Sequence, residues 1–555
     1  MSKASIVVVS SLVCACTVGQ PTSPSNSSPP PPSASSAPAK ISLSPAAVTV
    51  KVGSKVSVAA AVSNAAGQPV SNSTVTWTTS NAGIATVTGG TITAVATGNA
   101  MVSASVNGLT AGTPVTVVPA ATATARLGST AQAIKGWGLY PAGGSALYSR
   151  PTIRTALYAS GLTFIRTQID PAIYQSGSTL SSMSLNANTL LVLEQVLQEA
   201  QAHGVDQYIV SVWSPPAAMK TNHSTIGGQL ATTQEGAFVA YVTKALLTLR
   251  TDGLPLPVAL SIQNEPDFNP PTYPGCVYPV DQWKRVIEAM RASFDANGLT
   301  SVALFGPETG TYGGAVYSNA STYTPGYFGG PGFPSLASDA TFNHAVGAYA
   351  FHTYGECQIA GLNTGLQAVP KDSWMTEFSQ PRGTTEAAWT LDMLSALGAH
   401  VALVPNNYWA WWNGYANTTA PDNQTLLGGD QTPVYTKRYW ALKALWTTVR
   451  PGWLVTHMTT TDPDLLVSLG SQDPCAARVD LVAFQRPDGA SAAVLMVNRT
   501  TKSKLMAVGG LPGTTAQIYR TDANADMAVQ PPATITGGVA TIPLPPNSAV
   551  LAVAQ

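Results

Sequence analysis

Two glutamates stand where buried strands of the chain are predicted to end, and they are the first candidates for chemistry. Residues 258–262 form a short apolar run that stops at Asn264 and Glu265, and Glu377 ends a comparable run further along. Polar groups at the carboxyl ends of such strands are where α/β barrels hold their reactive side chains. Asn and Pro also favour turns, so residues 264–266 alone fit a strand-ending turn equally well. The turn explains Pro266 but gives the second glutamate no role.

Several other predicted strands also end in polar or aromatic residues, namely Arg166, Trp213, His352, Tyr354, Trp409, Trp411 and Trp412. Two carboxylates surrounded by aromatic rings are the side chains that a glycosidase uses. One acid protonates the leaving oxygen, the other attacks the anomeric carbon, and the rings stack on sugars. The chain shows no Ser-His-Asp order, phosphate loop or metal-ligand spacing, so we expect no cofactor and no metal.

The elements that would position these residues alternate between strand and helix from about residue 131 to residue 450. Helical spacing of apolar residues occurs at 190–202, 238–249, 283–294 and 387–397. Eight strand patterns lie among these helices, at 133–138, 162–166, 207–213, 258–262, 301–305, 345–351, 373–378 and 407–412. Eight strand–helix units predict a (β/α)₈ TIM barrel, in which strands four and seven face each other across the mouth.

Six short motifs, in this order along the chain, resemble those of glycoside hydrolase family 30, a family of retaining clan-A glycosidases. The motifs are 136–138 (GWG), 213–222 (WSPPAAMKTN), 261–267 (SIQNEPD), 352–354 (HTY), 374–379 (WMTEFS) and 410–413 (AWWN). The resemblance runs from about residue 122 to the C-terminus, and it is nearest to the endo-xylanase branch of the family.

This resemblance implies a role for individual residues. Glu265 would be the acid/base and Glu377 the nucleophile of a retaining mechanism. Asn264 would hold the 2-hydroxyl of the sugar, Tyr354 would orient the nucleophile, and Arg166 would pair with the nucleophile's carboxylate. Further contacts with substrate are expected at Trp137, Trp213, Asn222, His352, Trp411 and Trp412.

Several of these residues also fit a purely structural role. Arg166 fits a structural ion pair, and His352 fits a hydrogen-bonded core histidine. A strictly extended eighth strand would turn only one of Trp411 and Trp412 inward, which leaves the other for packing.

Three more carboxylates lie near the predicted mouth. Glu308 ends the fifth strand and rivals the two glutamates, although its place on an adjacent strand favours a hydrogen-bonding neighbour. Asp267 and Glu356 are expected to support the site or to lie on its rim.

The predicted substrate is a neutral β-glycan. Residues 264–276 and 219–222 are most like the xylanase branch, yet glucuronoxylan-specific members carry paired arginines and a tyrosine shortly after Trp-Trp. This chain has 413–417 (NGYAN) there, and no arginine follows before Arg438. A uronate requires a guanidinium for bidentate recognition, so we expect an endo-β-1,4-xylanase without that specificity. The alternatives are a β-1,6-glucanase or a glucosylceramidase-like β-glucosidase and, in another class, a non-catalytic polysaccharide-binding or adhesion protein.

The composition of the chain also limits the classes of partner that it could bind. The chain has 555 residues, with 27 basic and 27 acidic side chains. Charged residues make up 10% of it, against about 25% in ordinary globular proteins. No basic field exists to attract nucleic acid or anionic lipid. We expect a monomer whose partner is a neutral polysaccharide.

The N-terminus predicts export from a bacterial cell. Residues 1–16 have the form of a signal peptide, with Lys3 ahead of an apolar core at 6–13. Residues 13–16 (VCAC) resemble a lipobox that would place a lipid on Cys16, and an ordinary signal peptide is the alternative. Residues 17–40 form a Pro/Ser-rich linker. The protein would be secreted or held at the outer surface as a lipoprotein, with no transmembrane helix.

Two β regions flank the predicted barrel. Residues 41–119 contain short strands separated by turn residues, which predicts a β-sandwich. The order VTVKVG, VTWTTSN, IATV and ITAVATGNAMVSAS resembles the bacterial immunoglobulin-like group 2 domain, expected to act as a spacer. Residues 451–555 return to short β runs and, with 122–130, predict a side β-sandwich on the barrel.

Three cysteines remain beyond the N-terminal segment: Cys276, Cys357 and Cys475. Their spacing matches no metal motif. Disulfides are common in exported proteins, and Cys276 and Cys357 both follow predicted strand ends, so this pair is the expected disulfide.

Overall fold

The computed structural model describes residues 37–118, 122–141, 147, 149–310, 339–354, 371–404, 406–460, 462, 465–466 and 478–555. The chain divides into two compact units, and the second contains Val118–Gln555 together with Lys51–Ser54. The predicted signal peptide, Cys16, most of the linker, Glu356, Cys357 and Cys475 lie outside the described residues.

The first unit is all β. Its strands form a four-stranded, a three-stranded and a two-stranded sheet around a small core that includes Ile41, Ala104 and Val106. The strands are Lys40–Ser44, Val48–Lys51, Lys55–Ser57, Ala59–Ser63, Thr76–Thr79, Ala85–Thr88, Thr91–Ala94, Gly98–Val106 and Leu109–Val118. Short strands in small sheets fit the predicted β class, and the immunoglobulin-like assignment stays a prediction.

Eight parallel strands of the second unit close into a barrel, which confirms the predicted TIM-barrel fold. The last strand pairs with the first, placing Tyr408 opposite Gly136. We label the strands in chain order: β1 Gly136–Leu139, β2 Phe164–Ile169, β3 Gln207–Val212, β4 Ala259–Ser261, β5 Ala303–Thr309, β6 Ala348–His352, β7 Asp372–Phe378 and β8 Asn406–Trp411.

Seven described α-helices alternate with these strands. They are α1 Pro151–Tyr158, α2 Ala187–Ala202, α3 Glu235–Thr251, α4 Val280–Ala296, α5 Ala340–Ala345, α6 Glu386–Ala402 and α7 Lys437–Thr448. Side chains cap several helix N-termini, as Asn186 does for α2 and Thr436 for α7, which satisfies backbone N–H groups that lack intrahelical partners. The four predicted helical segments lie within α2, α3, α4 and α6. Within the described residues, no helix has the length and apolar character to span a membrane.

Shorter elements occupy the connections. They are the 3₁₀ turns Pro171–Ile173, Ala217–Met219 and Thr232–Gln234, and the paired strands Tyr174–Ser176 with Ser184–Leu185 and Leu427–Gly428 with Val434–Tyr435.

Alternation along each barrel strand separates two cores. Side chains pointing into the barrel, such as Phe164, Trp374 and Tyr408, form one buried cluster, while outward side chains pack under the helices. Gly138 of β1 faces inward, and a Cβ there would lie 2.5 Å from the ring of Phe164. The absence of a side chain at this position therefore makes room for the large ring.

A ten-stranded sheet covers one side of the barrel. In spatial order its strands are Leu454–Thr460, Thr122–Ala133, Lys504–Gly509, Val539–Leu544, Ala525–Thr536, Thr515–Asp522, Ser548–Ala554, Ala492–Asn498, Val479–Gln485 and Leu465–Leu466. The first strand also pairs with Val479–Gln485, so hydrogen bonding runs around a single sheet. Its strands come from the two regions predicted to form the side β-sandwich, 122–130 and 451–555, and the sandwich arrangement itself stays a prediction.

Substitution of Gly138 tests the close packing inside the barrel. We expect Gly138→Ala to lower the free energy of unfolding by about 1–3 kcal/mol, since the added methyl group overlaps the Phe164 ring. Gly236→Ala is the control, because Gly236 lies in α3 and a Cβ added there would meet no atom within 4 Å, so the change should be neutral or stabilising. Urea-denaturation midpoints of the two variants provide the measurement, and equal midpoints would contradict the prediction.

Candidate active site

Three glutamates reach the carboxyl ends of the barrel strands from β4, β5 and β7. Glu265 and Glu308 have left-handed backbone angles, with φ of 48° and 54°. Non-glycine residues rarely adopt this conformation, which costs about 1–2 kcal/mol and is enriched at functional sites. The backbone N–H of Glu265 donates to the carbonyl of Glu308 at 3.0 Å, so the two strand ends are tied together.

The guanidinium of Arg166 from β2 lies at the centre of the site. It is completely buried and donates to Glu377 Oε2 at 2.8 Å, to Asn264 Oδ1 at 2.6 Å and to Glu308 Oε1 at 3.2 Å. Its face lies 4.5 Å from the ring centre of Trp213. Burial opposes the charge, but the anions of Glu308 and Glu377 raise the pKa of Arg166. Arg166 therefore holds residues of three strand ends in one arrangement.

Glu308 serves this arrangement as a buried counter-charge. Its side chain is fully buried and does not line the open cleft. Although burial favours its neutral form, the charges of Arg166 and His352 lower the pKa of Glu308 to about 2. Such a carboxylate stays ionised at neutral pH, which suits it to orient cations and not to transfer protons.

Glu377 receives two strong donors. Tyr354 Oη donates to Glu377 Oε1 at 2.6 Å, and Arg166 donates to Oε2. Burial raises the pKa of Glu377, while the cations of His352 and Arg166 oppose that rise. The same burial and the Glu377 charge raise the pKa of Tyr354 well above its usual value, so the phenol remains a donor. These two hydrogen bonds consequently fix the orientation of the Glu377 carboxylate.

Glu265 lies across from Glu377 and contacts different partners. Its Oε1 lies 3.1 Å from His352 Nδ1, and Tyr273 Oη donates to its Oε2 at 3.2 Å. Carboxylate oxygens of Glu265 and Glu377 approach within 4.8 Å of each other, with His352 Nδ1 or Nε2 inside the same distance. The two acids are close enough to act on one bond.

Glu265, His352 and Glu377 are also the described group whose atoms could surround a metal ion. The environment favours a different role for the histidine. Burial opposes its charge, but Glu377, Glu265 and Glu308 raise the pKa of His352 to about 9. A protonated imidazole donates from both nitrogens. The 3.1 Å contact of its Nδ1 with Glu265 therefore fits a hydrogen-bonding role for His352 between the two glutamates.

A cleft of about 710 Å³ opens above these acids. Its described aromatic walls are Trp213, Phe268, Tyr273, Tyr354 and Trp412. Trp412 stacks on Tyr140, with ring centres 4.7 Å apart and planes 11° from parallel. Neutral amides occupy the remaining polar positions, namely Gln168, Asn264, Gln380 and Gln424. The cleft thus combines ring faces with uncharged hydrogen-bonding groups, which suits sugars.

Seven cleft residues were not predicted as site residues: Gln168, Phe268, Tyr273, Pro274, Gly310, Gln380 and Gln424. Gln168 follows Arg166 by two positions on β2, so strand alternation alone could have indicated it. Gln424 comes from the long connection after β8. Its backbone carbonyl accepts a hydrogen bond from Trp411 Nε1 at 2.8 Å. The position of Gln424 depends on this contact in the folded protein, so no local sequence pattern predicts it.

Two tryptophans predicted to contact substrate lie outside the cleft. Trp137 is completely buried, donates to the carbonyl of Val449 and packs edge-on against Phe484. Trp411 is also completely buried and belongs to the outer core. Both predictions are corrected for the same reason, because each residue occupies an outward position of an alternating strand. On β8 this places Trp412 in the cleft.

His352 is one further correction, because its side chain is completely buried and does not line the cleft. Asn222 is another. It is solvent-exposed in the loop after β3, where its Nδ2 donates to the carbonyl of Ile226 at 2.9 Å and its Oδ1 accepts from the N–H of Ser224. The side chain therefore closes a local turn and does not line the cleft.

Asp267 contacts the backbone of a cleft residue, Gly310. It is buried and accepts from the Gly310 N–H at 2.9 Å, and burial raises the pKa of Asp267 to about 7. Cys276 is a buried free thiol in the structure, and its predicted disulfide partner lies outside the described residues.

The charge of His352 predicts a pH dependence of stability. Its pKa rises from 6.5 to about 9 in the folded protein, so protonated His352 contributes stability that is fully present below pH 6.5 and is lost as the pH rises through about 9. We expect wild type to lose stability relative to His352→Gln across this window. Urea midpoints of both proteins between pH 6 and pH 9.5 measure the difference, and parallel profiles would contradict the raised pKa.

Comparisons by sequence provide no family: no family model matches the chain, and no curated protein matches it. Solved structures do match. The catalytic domain of a GH30 xylanase C from Talaromyces cellulolyticus aligns with a TM-score of 0.62 at 19% identity, covering 78% of this chain and 100% of that one.

Two further structures align over a similar part of the chain. A GH30 endoxylanase from Clostridium papyrosolvens has a TM-score of 0.58 at 20% identity, covering 78% of this chain and 100% of that one. An endo-β1,6-glucanase has a TM-score of 0.57 at 16% identity, covering 79% and 95%. At these identities the similarity establishes the fold alone: the second unit shares its architecture with glycoside hydrolases.

Proposed function

We propose that this chain is a retaining β-glycoside hydrolase that cleaves a neutral β-glycan, xylan first. The observation that carries the proposal is the approach of Glu265 and Glu377 within 4.8 Å at the floor of an aromatic cleft. Retaining enzymes hold their two carboxyl groups roughly 5 Å apart, whereas inverting enzymes leave room for a water between them. The structural similarity to glycoside hydrolases supports the same class.

The partners of each acid suggest its role. Glu377 has both oxygens directed by Arg166 and Tyr354, which suits a nucleophile that attacks the anomeric carbon and forms a glycosyl-enzyme. Glu265 would donate a proton to the leaving oxygen and then take one from the water that releases the sugar. In the proposed mechanism Tyr273 and His352 hold Glu265 in position during both steps.

Asn264 would recognise the sugar beside the broken bond. Its Oδ1 accepts from Arg166 Nη2, so the amide N–H groups are the part of this side chain that can donate to a sugar hydroxyl. A hydrogen bond to the 2-hydroxyl strengthens as charge develops in the transition state. The contact with Arg166 thus sets the orientation of the amide.

The charge of the cleft supports a neutral substrate. No lysine or arginine belongs to the described cleft lining, and Arg166 lies buried behind it. A uronate would therefore find no guanidinium for bidentate binding among these residues. A β-1,6-glucan or a glucosylceramide-type β-glucoside is the second candidate, and a structural match to an endo-β1,6-glucanase favours the glucan.

The proposal includes export. Residues 1–16 fit a bacterial signal peptide, and a lipid on Cys16 would tether the mature protein at the outer surface. Such a location would bring the cleft to polysaccharides that cannot enter the cell. A non-catalytic polysaccharide-binding protein remains the alternative class, although binding alone requires neither glutamate.

Substitution of the two acids tests catalysis. We expect Glu377→Ala and Glu265→Ala each to lower kcat on xylan about a thousandfold or more, because each removes a reacting group. Glu288→Gln on α4 is the control and should retain activity, since it lies outside the cleft. Reducing-sugar release from a panel of xylans and β-glucans provides the measurement. If wild type is as inert as both alanine variants on every substrate, the binding-protein alternative is favoured.

Azide can separate the two roles on an aryl β-glycoside of the cleaved sugar. Azide should replace the missing nucleophile in Glu377→Ala and yield an α-glycosyl azide. In Glu265→Ala it should attack the glycosyl-enzyme and yield a β-glycosyl azide. NMR of the products distinguishes the anomers, and an exchange of the two outcomes would reverse the assigned roles.

The stereochemistry of the first product tests the double displacement. Two inversions at the anomeric carbon return the starting configuration, so early wild-type products should be β-anomers. Proton NMR before mutarotation measures this, and α-anomers would rule out a retaining mechanism.

A further inference from the structure

A second pocket opens beside the cleft, between the ends of β1 and β2 and the helix α2. Its volume is about 160 Å³. Gln168 lines both the pocket and the cleft, so the two spaces adjoin at this residue. Tyr140 lines the pocket and stacks on Trp412 of the cleft wall. A group attached to a sugar in the cleft could therefore reach the pocket past these two side chains.

The lining of this side pocket is mixed. Val192, Leu193 and Val196 of α2 and Ile173 from the connection after β2 form its aliphatic part, whereas Thr167, Gln168, Asp170 and Thr189 are polar. Positions 192, 193 and 196 share one face of a helix. Val192 nevertheless keeps 37% of its surface exposed, because the space in front of it is open. The helix thus presents an apolar surface that the described part of the chain leaves uncovered.

The aliphatic part of the lining suits an apolar ring better than a sugar, because each buried sugar hydroxyl would require a hydrogen-bonding partner there. Thr167 and Thr189 can serve the few polar substituents of such a ring. A cavity of about 150 Å³ holds a benzene-sized ring, so the pocket has room for one phenyl group. Tyr140 adds an aromatic edge or face for such a ring.

Asp170 restricts the charge of the occupant. Its side chain lines the pocket and accepts from the Ala172 N–H at 2.8 Å. A carboxylate at this wall repels an anion and tolerates a neutral ester or a phenolic O–H donor. The occupant should therefore be an uncharged aromatic group.

We propose that the side pocket binds a phenolic ring carried on the glycan through a neutral ester, as in a hydroxycinnamoyl-substituted polysaccharide. This inference rests on the proposed function, because the cleft must first hold the glycan. It assigns Val192 and Val196, the aliphatic lining residues that keep accessible surface, as specificity residues for the decorated substrate. The step cleaved is unchanged, and the ester itself stays intact.

Kinetics on one polymer in two forms tests the proposal. An arabinoxylan bearing hydroxycinnamoyl esters is compared with the same polymer after mild alkaline removal of the esters. Burying one ring should give wild type about a tenfold higher kcat/KM on the esterified form. Val192→Trp should fill the pocket and remove this preference without changing hydrolysis of the bare polymer. Leu191→Trp is the matched control, since Leu191 is 47% exposed on the same helix and does not line the pocket.

Equal kcat/KM of wild type on both polymers would overturn the proposal. So would equal effects of Val192→Trp and Leu191→Trp, or an equal loss on both polymers in Val192→Trp. These outcomes leave the proposed glycosidase activity intact, because hydrolysis of the bare polymer is measured in the same experiment.

Binding of ethyl ferulate tests the pocket even if neither polymer is cleaved, an outcome that would count against the proposed xylanase activity alone. Calorimetric titration should detect binding to wild type and to Leu191→Trp, with at least a tenfold loss in Val192→Trp. The ferulate anion should bind more weakly than its ethyl ester because of Asp170. Absence of ester binding, or equal binding to all three proteins, would overturn the proposal.

Discussion

The site depends on one buried guanidinium. Arg166 is completely enclosed, yet it contacts Asn264, Glu308 and Glu377, which come from three different strand ends. Breaking such a buried pair by removing one partner costs about 3–5 kcal/mol, because the remaining charges lose their compensation. The same contacts orient the amide of Asn264 and one oxygen of Glu377. Positioning and charge balance are therefore provided by a single side chain, and neither can be altered alone.

Charge within the barrel mouth is divided between permanent and exchangeable groups. Arg166 and Glu308 form a lasting pair, since the pKa of Glu308 is lowered to about 2 despite its burial. His352, whose pKa is raised to about 9, adds a second cation between Glu265 and Glu377. Two cations thus face three carboxylates, which leaves one negative charge to be shared or neutralised. That surplus suits a site where one acid must be ionised while another carries a proton.

Strand alternation also explains how one barrel lines both the cleft and the side pocket. Gln168 follows Arg166 at the period of two that returns a side chain to the same face, and it reaches both the cleft and the side pocket. Gly136 and Gly138 of β1 carry no side chain, so the barrel interior beside them is filled by Phe164 and Tyr408. The alternation of side chains along a strand therefore determines both the packing inside the barrel and the residues that line the cleft.

Local signals in the sequence determined the eight barrel strands, the positions of Glu265 and Glu377 at strand ends, and the neutral character of the chain. Apolar periodicity and strand-ending polar residues are properties of short segments, so they can be recognised without the fold. Only the tertiary structure decided which tryptophans face the cleft, placing Trp137 and Trp411 in the outer core and Trp412 at the cleft. It also joined Glu308 to Arg166 and placed Gln424 at the cleft. These outcomes depend on contacts between residues far apart in the chain, which no local pattern contains.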